Sequence, residues 1–524
     1  MSVEISSPKA EWSGAGAPVA VAPLAQPEQH FATDHLLENL KARTISSGFV
    51  TASSQAAKFL LTVGSTMVLA RLLTPRDFGL VAMVTTVVGF LRVFKDAGLS
   101  IATVQRQRIT QAQVSNLFWI NLGVSLLGGL LLVGAAWPIA AFYHNPRVVP
   151  IALLLSITFV FNGSTVQHQA LLKRQMRFKA LAVIEIGSLF SSIAVAITLA
   201  VLGYGYWALV WSMLSTEVAG LLLTWSISRW RPQLPTRKSG VGPLVSFGAH
   251  RTAGDLALAL SRGSDNLLIG RFYGAASVGL YSRASALLLR PLEQFLNPIN
   301  VVFIPALSRL QSQPKRYRST FLRLYEAIAL ASFFFTGLCL ALAHPITLVL
   351  LGRKWEQAAV IFAGFTLAAL CLPLATTSAW LFISQGRGRD MFYTQLVNAF
   401  AIIISFLIGL PFGPVGMAMA FSASNILVRI PLYYYRAGRR GPVGTRDLWA
   451  VFFTHLPVWV VVFGATSLAL AFSRHLAPLA QLIICAPVGM AMGLAFVYSF
   501  KPQRQVANYV FSSVRDLIRP GSQG

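Results

Sequence analysis

The chain has 524 residues, of which 55% are hydrophobic and only 11% charged, with a mean hydropathy of +0.63. Soluble domains carry about 25% charged residues, so this composition excludes a soluble globular protein. The 43 Lys and Arg against 17 Asp and Glu give a formal net charge of +26; in so apolar a chain that excess reads as basic loops beside a membrane, not as a nucleic-acid surface.

In chain order, residues 1–40 are rich in Ala, Pro and Ser and lack a basic segment followed by an apolar core. They read as a disordered cytoplasmic tail without a cleaved leader. Apolar runs then predict fourteen membrane helices, near 47–70, 78–98, 114–137, 148–171, 180–202, 205–228, 246–270, 278–303, 320–343, 356–384, 391–411, 414–435, 448–473 and 476–500. A membrane helix needs about 20 apolar residues. Segments 109–146, 391–428 and 476–500 contain no Asp, Glu, Lys or Arg at all. Transmembrane β-strands would be far shorter and would alternate apolar with polar residues. The fold class expected is therefore an all-α polytopic membrane protein. Beyond the last helix, Val506, Tyr509, Val510, Val514 and Leu517 share one helical face of 503–518, as in an amphipathic helix lying on the cytoplasmic leaflet. The three cysteines, Cys339, Cys371 and Cys485, lie in apolar runs and read as small core residues.

Loop charges orient the helices. With a cytoplasmic N-terminus, the inside connections hold Arg92, Lys95, Arg106 and Arg108, then Lys173, Arg174, Arg177 and Lys179, then Arg229, Arg231, Arg237 and Lys238. Later inside connections hold Arg309, Lys315, Arg316, Arg318, Arg387, Arg389, Arg436, Arg439, Arg440 and Arg446. The outside connections hold fewer: Arg71, Arg76, Arg147, Arg271, Arg353, Lys354 and Arg474. Cytoplasmic loops collect Lys and Arg, so both termini are expected in the cytoplasm.

The sequence also repeats. Arg71 and Phe78-Gly79-Leu80 recur as Arg271 and Val278-Gly279-Leu280, and Gly203, Ala208 and Ser212 recur as Gly413, Ala418 and Ser422. Six helices separate the copies, so both halves enter the membrane from the same side, as in parallel transporter repeats. The expected organisation is an N-lobe over 41–232, a C-lobe over 243–436, two appended helices over 446–500 and a cytoplasmic tail over 501–524.

Ionisable residues within spans are costly in hydrocarbon and usually face a water-filled path. In the seventh helix, Arg251, Asp255, Arg262 and Asp265 fall within about 80° of one another at 100° per residue. The equivalent face of the first helix carries Thr51, Gln55, Thr62 and Ser65, with Lys58 beside them. The plainer reading of Arg251 and Asp255 is a neutralising i, i+4 pair, which can nonetheless line a cavity. Arg283 and Arg290 lie seven apart in the eighth helix, where the nearby Glu293 favours a structural role for Arg290. Glu185, Glu217 and Arg429 are further charges within spans, and His455 in the thirteenth reads as hydrogen-bonded locally. The candidate path residues are Thr51, Gln55, Lys58, Thr62, Glu217, Arg251, Asp255, Arg262, Asp265 and Arg283. A net positive cavity suits a phosphate-bearing cargo, because guanidinium groups bind phosphate bidentately.

No GxxxxGK[ST] loop, Asp-x-Asp, HExxH, GxSxG or His/Cys cluster with metal-ligand spacing occurs. No catalytic constellation is therefore expected, and no cofactor or metal.

The segments Leu69-Ala70-Arg71-Leu72-Leu73-Thr74-Pro75-Arg76-Asp77-Phe78-Gly79-Leu80, Leu171 to Leu181 and Leu351-Gly352-Arg353-Lys354-Trp355 resemble three interhelical motifs of bacterial polysaccharide flippases. These are Wzx-like proteins of the polysaccharide transporter branch of the multidrug/oligosaccharidyl-lipid/polysaccharide (MOP) exporter superfamily. The resemblance runs from about 41 to 500 and implies two lobes that rock between inward- and outward-open states. It implies a cargo of undecaprenyl-diphosphate-linked oligosaccharide, carried across the bacterial inner membrane for exopolysaccharide, capsule or lipopolysaccharide. Membrane lipids, a polysaccharide polymerase and a chain-length regulator are the implied partners, and the transporter is expected to act as a monomer. A peptidoglycan-precursor flippase and a cation-coupled drug exporter of the same superfamily are the neighbouring readings. The latter would be expected to show acidic residues in the first helix, where Lys58 stands. A membrane polymerase or ligase would need a large periplasmic loop, which this chain lacks.

Overall fold

A computed structural model describes the backbone of residues 40–96, 100, 103, 104, 106, 109–236 and 242–518. Side chains are described over the same range apart from 40–52, 93–96, 242–262, 510 and 513–518. Residues 1–39 of the expected tail and the basic residues Arg108, Arg237 and Lys238 therefore lie outside the described residues, as does the side chain of Lys95.

The described residues form helices and no strands. The N-terminal half comprises α1 (Leu40–Leu72), α2 (Pro75–Asp96), α3 (Gln111–Tyr143), α4 in two pieces (Val148–Gly163 and Val166–Arg174), α5 (Phe178–Val201) and α6 (Tyr206–Ser228). Next comes the run Gly242–Arg309, broken at Gly274 into α7 and α8. There follow α9 (Pro314–Ala341), a short helix (Ala343–Leu351), α10 (Glu356–Ser384), α11 (Gly388–Gly409) and α12, which starts as Gly413–Ser424 and continues through a π turn, Asn425–Arg429, to Ile430–Gly438. The chain ends in α13 (Thr445–Phe472), α14 (Pro478–Ser499) and α15 (Lys501–Ile518). This matches the expected count of fourteen spans approximately, and α15 covers the amphipathic segment. Nine of the described stretches are long and apolar enough to cross a membrane by length and composition alone.

Local chemistry fixes the turns. At Thr74-Pro75-Arg76-Asp77 the Thr74 N–H donates to Asp77 Oδ2 at 2.9 Å, and the Asp77 N–H donates to Thr74 Oγ1 at 3.3 Å. This is a capping box that satisfies two orphan donors at the start of α2, with Pro at the first helical position, where no N–H is needed. Thr110 and Gln113 make the same reciprocal pair at the start of α3. The α7–α8 break needs a residue at φ 75°, ψ −178°, a conformation that glycine adopts without strain and Gly274 supplies.

The repeated residues occupy matching environments. Gly203 and Gly413 both have positive φ (82° and 75°), and Ala208 and Ala418 are both fully buried. The closest match is where α2 crosses α8. A Cβ on Gly79 would sit 1.6 Å from the Ala275 carbonyl oxygen, and one on Gly279 would sit 1.8 Å from that of Pro75. The two glycines are the same position of the repeat, and the missing side chains let the backbones of the two halves touch.

Around this crossing a single apolar core draws residues from both halves, including Leu80, Met83, Ala136, Tyr143, Ile269, Tyr281, Trp355 and Phe362. Toward the opposite ends of the helices, the apolar clusters separate. One lies within α8–α13 and two lie within residues 109–230. Among the described residues, the halves are joined at one end and part toward the other.

The joined end is also hydrogen-bonded across the halves. Trp355 Nε1 donates to the Ala70 carbonyl at 2.8 Å, Lys354 Nζ to that of Arg71 at 3.1 Å, and Arg71 Nη2 to that of Val349 at 3.2 Å. The repeat partner of Arg71 does the converse: Arg271 of α7 meets His144 Nδ1, after α3, at 2.6 Å. Each half thus sends an arginine from the end of its first helix onto the other, Arg71 onto the short helix Ala343–Leu351 and Arg271 onto the turn after α3.

Candidate functional site

Where the halves part, a cavity of about 680 Å³ opens. Its lining comes chiefly from the C-terminal half. The end of α7 supplies Asp265 and Asn266, and α8 supplies Ser282, Arg283, Ser285, Arg290, Glu293 and Asn300. Helix α10 adds Thr376 and Trp380, α11 adds Gln395 and Asn398, and α12 adds Arg429 and Tyr433, while α2 contributes only Ala82 and Thr85. Three arginines face two carboxylates, so the ionisable side chains of the wall carry a net charge of +1.

Several of these groups are buried without a hydrogen-bond partner: Arg283 Nε, Arg429 Nε and Asn266 Oδ1. Buried polar groups are normally satisfied, so these three leave two donors and an acceptor available to a polar ligand in the cavity. The π turn Asn425–Arg429 brings Arg429 to the wall, where its Nη1 donates to Asn425 Oδ1 at 3.1 Å and its Nε stays free. Single π turns within α-helices recur at functional sites. The guanidinium of Arg283 lies over the Phe78 ring, 4.8 Å from its centroid. Asp265 Oδ1 accepts from the Asn266 backbone N–H at 2.7 Å. Trp380 Nε1 donates to Asn300 Oδ1, holding α10 to α8. Guanidinium donors suit phosphate or carboxylate, and the amides of Gln395 and Asn398 suit hydroxyl groups.

Of the candidate path residues, this cavity unites Asp265 and Arg283, and it adds Arg290, Glu293 and Arg429, which the sequence marked as charges within spans. The side chains of Thr51, Arg251, Asp255 and Arg262 lie outside the described residues. Gln55 and Thr62 are exposed on α1 and do not line the cavity. Lys58 turns to Glu185 of α5, with Nζ 2.7 Å from Oε2, and Glu217 of α6 is held by Arg92 of α2 at 3.0 Å. Arg290 does not pair with Glu293: among the described residues it has no carboxylate within ion-pair reach, and both line the cavity. His455 is buried, yet its Nδ1 has no partner, contrary to the local hydrogen bond expected. Arg290 could have been found from its seven-residue spacing to Arg283, which puts both on one helical face. The amides of Asn266, Gln395 and Asn398 carry no sequence signal beyond being polar within apolar runs.

A family model described as "Polysaccharide biosynthesis protein" matches residues 68–360. The chain is 28% identical over 306 residues to the amylovoran biosynthesis protein AmsL of Erwinia amylovora, covering 57% of this chain and 78% of that one. It is 29% identical over 352 residues to the succinoglycan biosynthesis transport protein ExoT of Rhizobium meliloti, covering 66% and 70%. It is 24% identical over 439 residues to the lipopolysaccharide biosynthesis protein WzxC of Escherichia coli, covering 81% and 88%. Among solved structures, the lipid II flippase MurJ in an inward closed conformation superposes with a TM-score of 0.67 at 14% identity, covering 87% of this chain and 99% of that one. An inward-facing multidrug transporter of the MATE family, within the MOP superfamily, gives 0.56 at 13% identity, covering 78% and 99%. The fold is that of these MOP transporters, and the chain is a multi-pass protein of the bacterial inner membrane.

Proposed function

Because this chain belongs to the polysaccharide biosynthesis protein family, we propose that it is a flippase that moves a lipid-linked oligosaccharide from one leaflet of the inner membrane to the other. The observation that carries this reading is the cavity beside α2, walled chiefly by the C-terminal half, with three arginines in its wall, two of them with a buried and unpartnered Nε. It offers a diphosphate charge-assisted donors in a site partly shielded from water, where such bonds are strongest. The amides of α11 lie on the same wall for sugar hydroxyls, and the polyprenyl tail stays in the bilayer. Undecaprenyl diphosphate is the carrier that the family relationship favours, and the products served are exopolysaccharide, capsule or lipopolysaccharide.

In this reading Asp265, Arg283, Arg290 and Arg429 contact the cargo in this cavity, while Thr51, Gln55, Lys58, Thr62 and Glu217 of the N-lobe and Arg251, Asp255 and Arg262 of the C-lobe meet cargo or coupling ions elsewhere along the path. The lobes run over 41–232 and 243–436, with 446–500 appended. Both termini face the cytoplasm, so the parted end opens to the cytoplasm and the clasped end faces the periplasm. A polymerase and a chain-length regulator act on the delivered unit, and one chain suffices for transport.

The test is deletion of the gene followed by separation of lipid-linked intermediates by leaflet. Complete repeat units trapped on the cytoplasmic face are expected. Unpolymerised units reaching the periplasmic face would point to a polymerase instead, and trapped lipid II would point to a peptidoglycan-precursor flippase.

A further inference from the structure

Arg283 belongs to the cavity wall, but the ring beneath it belongs to the clasp. Phe78 comes from α2 of the other half and is buried, and it packs edge-on against Trp355 with centroids 5.3 Å apart and planes at 71°. Trp355 in turn is wholly buried and donates to the Ala70 carbonyl, the contact that ties the end of α1 to the turn before α10. The α2–α8 crossing makes this chain of contacts possible. Phe78 precedes Gly79, and Arg283 lies one turn beyond Gly279, so the touching backbones lay the guanidinium on the ring.

We propose that Phe78 is the coupling residue between cargo and clasp: Arg283 resting on Phe78 holds the ring against Trp355, and an anion in the cavity draws Arg283 away and frees the clasp to open. The inference rests on the cargo reading above only for the nature of that anion. Physically, the ring offers the guanidinium a cation–π contact and leaves Nε without an acceptor. A phosphate oxygen offers charge-assisted hydrogen bonds, which are stronger. Cargo therefore binds better to the state in which Arg283 has left the ring, and a ligand shifts an equilibrium by its differential affinity for the two states. Phe78 itself donates nothing to the cargo, so it is a positioning residue.

The experiment uses the full chain in vesicles of phosphatidylethanolamine and phosphatidylglycerol, carrying Leu351→Cys as reporter. Leu351 is fully buried beside the clasp, and the three native cysteines are buried as well. The rate of labelling by a membrane-impermeant maleimide reads clasp opening, with undecaprenyl diphosphate as the probe and undecaprenol as the uncharged control. The parent is expected to label slowly, and faster with the diphosphate only. Phe78→Leu keeps an apolar, though smaller, side chain and removes the ring face. It should label roughly fivefold faster without probe, about the shift expected for one lost cation–π contact. It should gain nothing more from the probe while binding it up to about fivefold more tightly, because binding no longer has to displace Arg283 from the ring. Arg283→Met gives an independent reading should the first variant fold poorly, and raised basal labelling is again expected. If either folded variant keeps the parent's slow basal rate, the proposal is overturned. Should both variants raise basal labelling while the parent ignores the diphosphate, the coupling stands and the cargo reading fails.

Discussion

At the scale of single residues, the cavity wall and the capping sites obey different rules. Arg429 and Arg283 each keep a buried Nε without a partner, an arrangement that is unfavourable unless something occupies it. Arg429→Gln should therefore weaken undecaprenyl diphosphate binding by about tenfold to a hundredfold, the range that loss of one charged hydrogen-bonding partner covers. Equilibrium titration of the purified protein in nanodiscs measures it, and an unchanged affinity would remove Arg429 from the cargo site. Arg387 is the contrasting case, with every donor used. It pairs with Asp390 at 3.0 Å and donates to the carbonyls of Arg436, Ala437 and Arg440 at 2.6, 2.9 and 2.8 Å, tying the α10–α11 turn to the end of α12. Arg387→Ala should lower stability by about 3 kcal/mol by stranding these acceptors, and Arg387→Lys should not restore it, since one ammonium cannot span the fork. Thermal unfolding in detergent checks both. The role of Arg387 is invisible in sequence, where it reads as one more basic loop residue.

At the scale of elements, the segment Thr74–Gly79 performs three tasks in six residues. Thr74 and Asp77 cap α2, Phe78 packs on Trp355 and carries Arg283, and Gly79 admits the α8 backbone. Gly79→Ala and Gly279→Ala should each destabilise the protein by about 1–3 kcal/mol, because the added carbon meets backbone and not a movable side chain. Gly64→Ala in α1, with nothing within 4 Å of its added carbon, should be neutral or slightly stabilising, since Ala favours the helix. Equal effects at Gly64 and Gly79 would sink the close-contact explanation. The helices themselves were largely legible, because a run of about 20 apolar residues is a property of composition. The short helix Ala343–Leu351, the two pieces of α4 and the π turn in α12 were not, because local breaks are set by packing between neighbouring helices. The repeat was legible at Gly79 and Gly279, yet nothing in the sequence said that the two would meet.

At the scale of the molecule, joining at one end and parting at the other make a lever. If the halves rock about the α2–α8 crossing, cargo that closes the open end should shorten the distance between the α4–α5 and α10–α11 turns. Spin labels at Lys173→Cys and Arg389→Cys, both exposed, would report this by pulsed dipolar spectroscopy. Undecaprenyl diphosphate is expected to shift the distribution to shorter distances, and an unchanged distribution would argue against rocking. The same two turns, with four basic residues in 173–179 and two in 387–389, should prove cytoplasmic when tested by side-specific labelling.

The amino-acid sequence by itself determined the class of the protein, the approximate number of its helices and the positions of its internal repeat, because these follow from summed hydrophobicity and spacing along the chain. It also identified Asp265 and Arg283 as polar residues that must avoid lipid. Only the tertiary structure decided that the cavity belongs mainly to one half, that Lys58 and Glu217 are held in ion pairs, and that Arg290 and Arg429 join Arg283 in the wall. A helix can be read from its own residues, but which stripe of it faces which neighbour depends on its rotation and tilt. Here those are set by two glycines 200 residues apart whose missing side chains let two backbones touch.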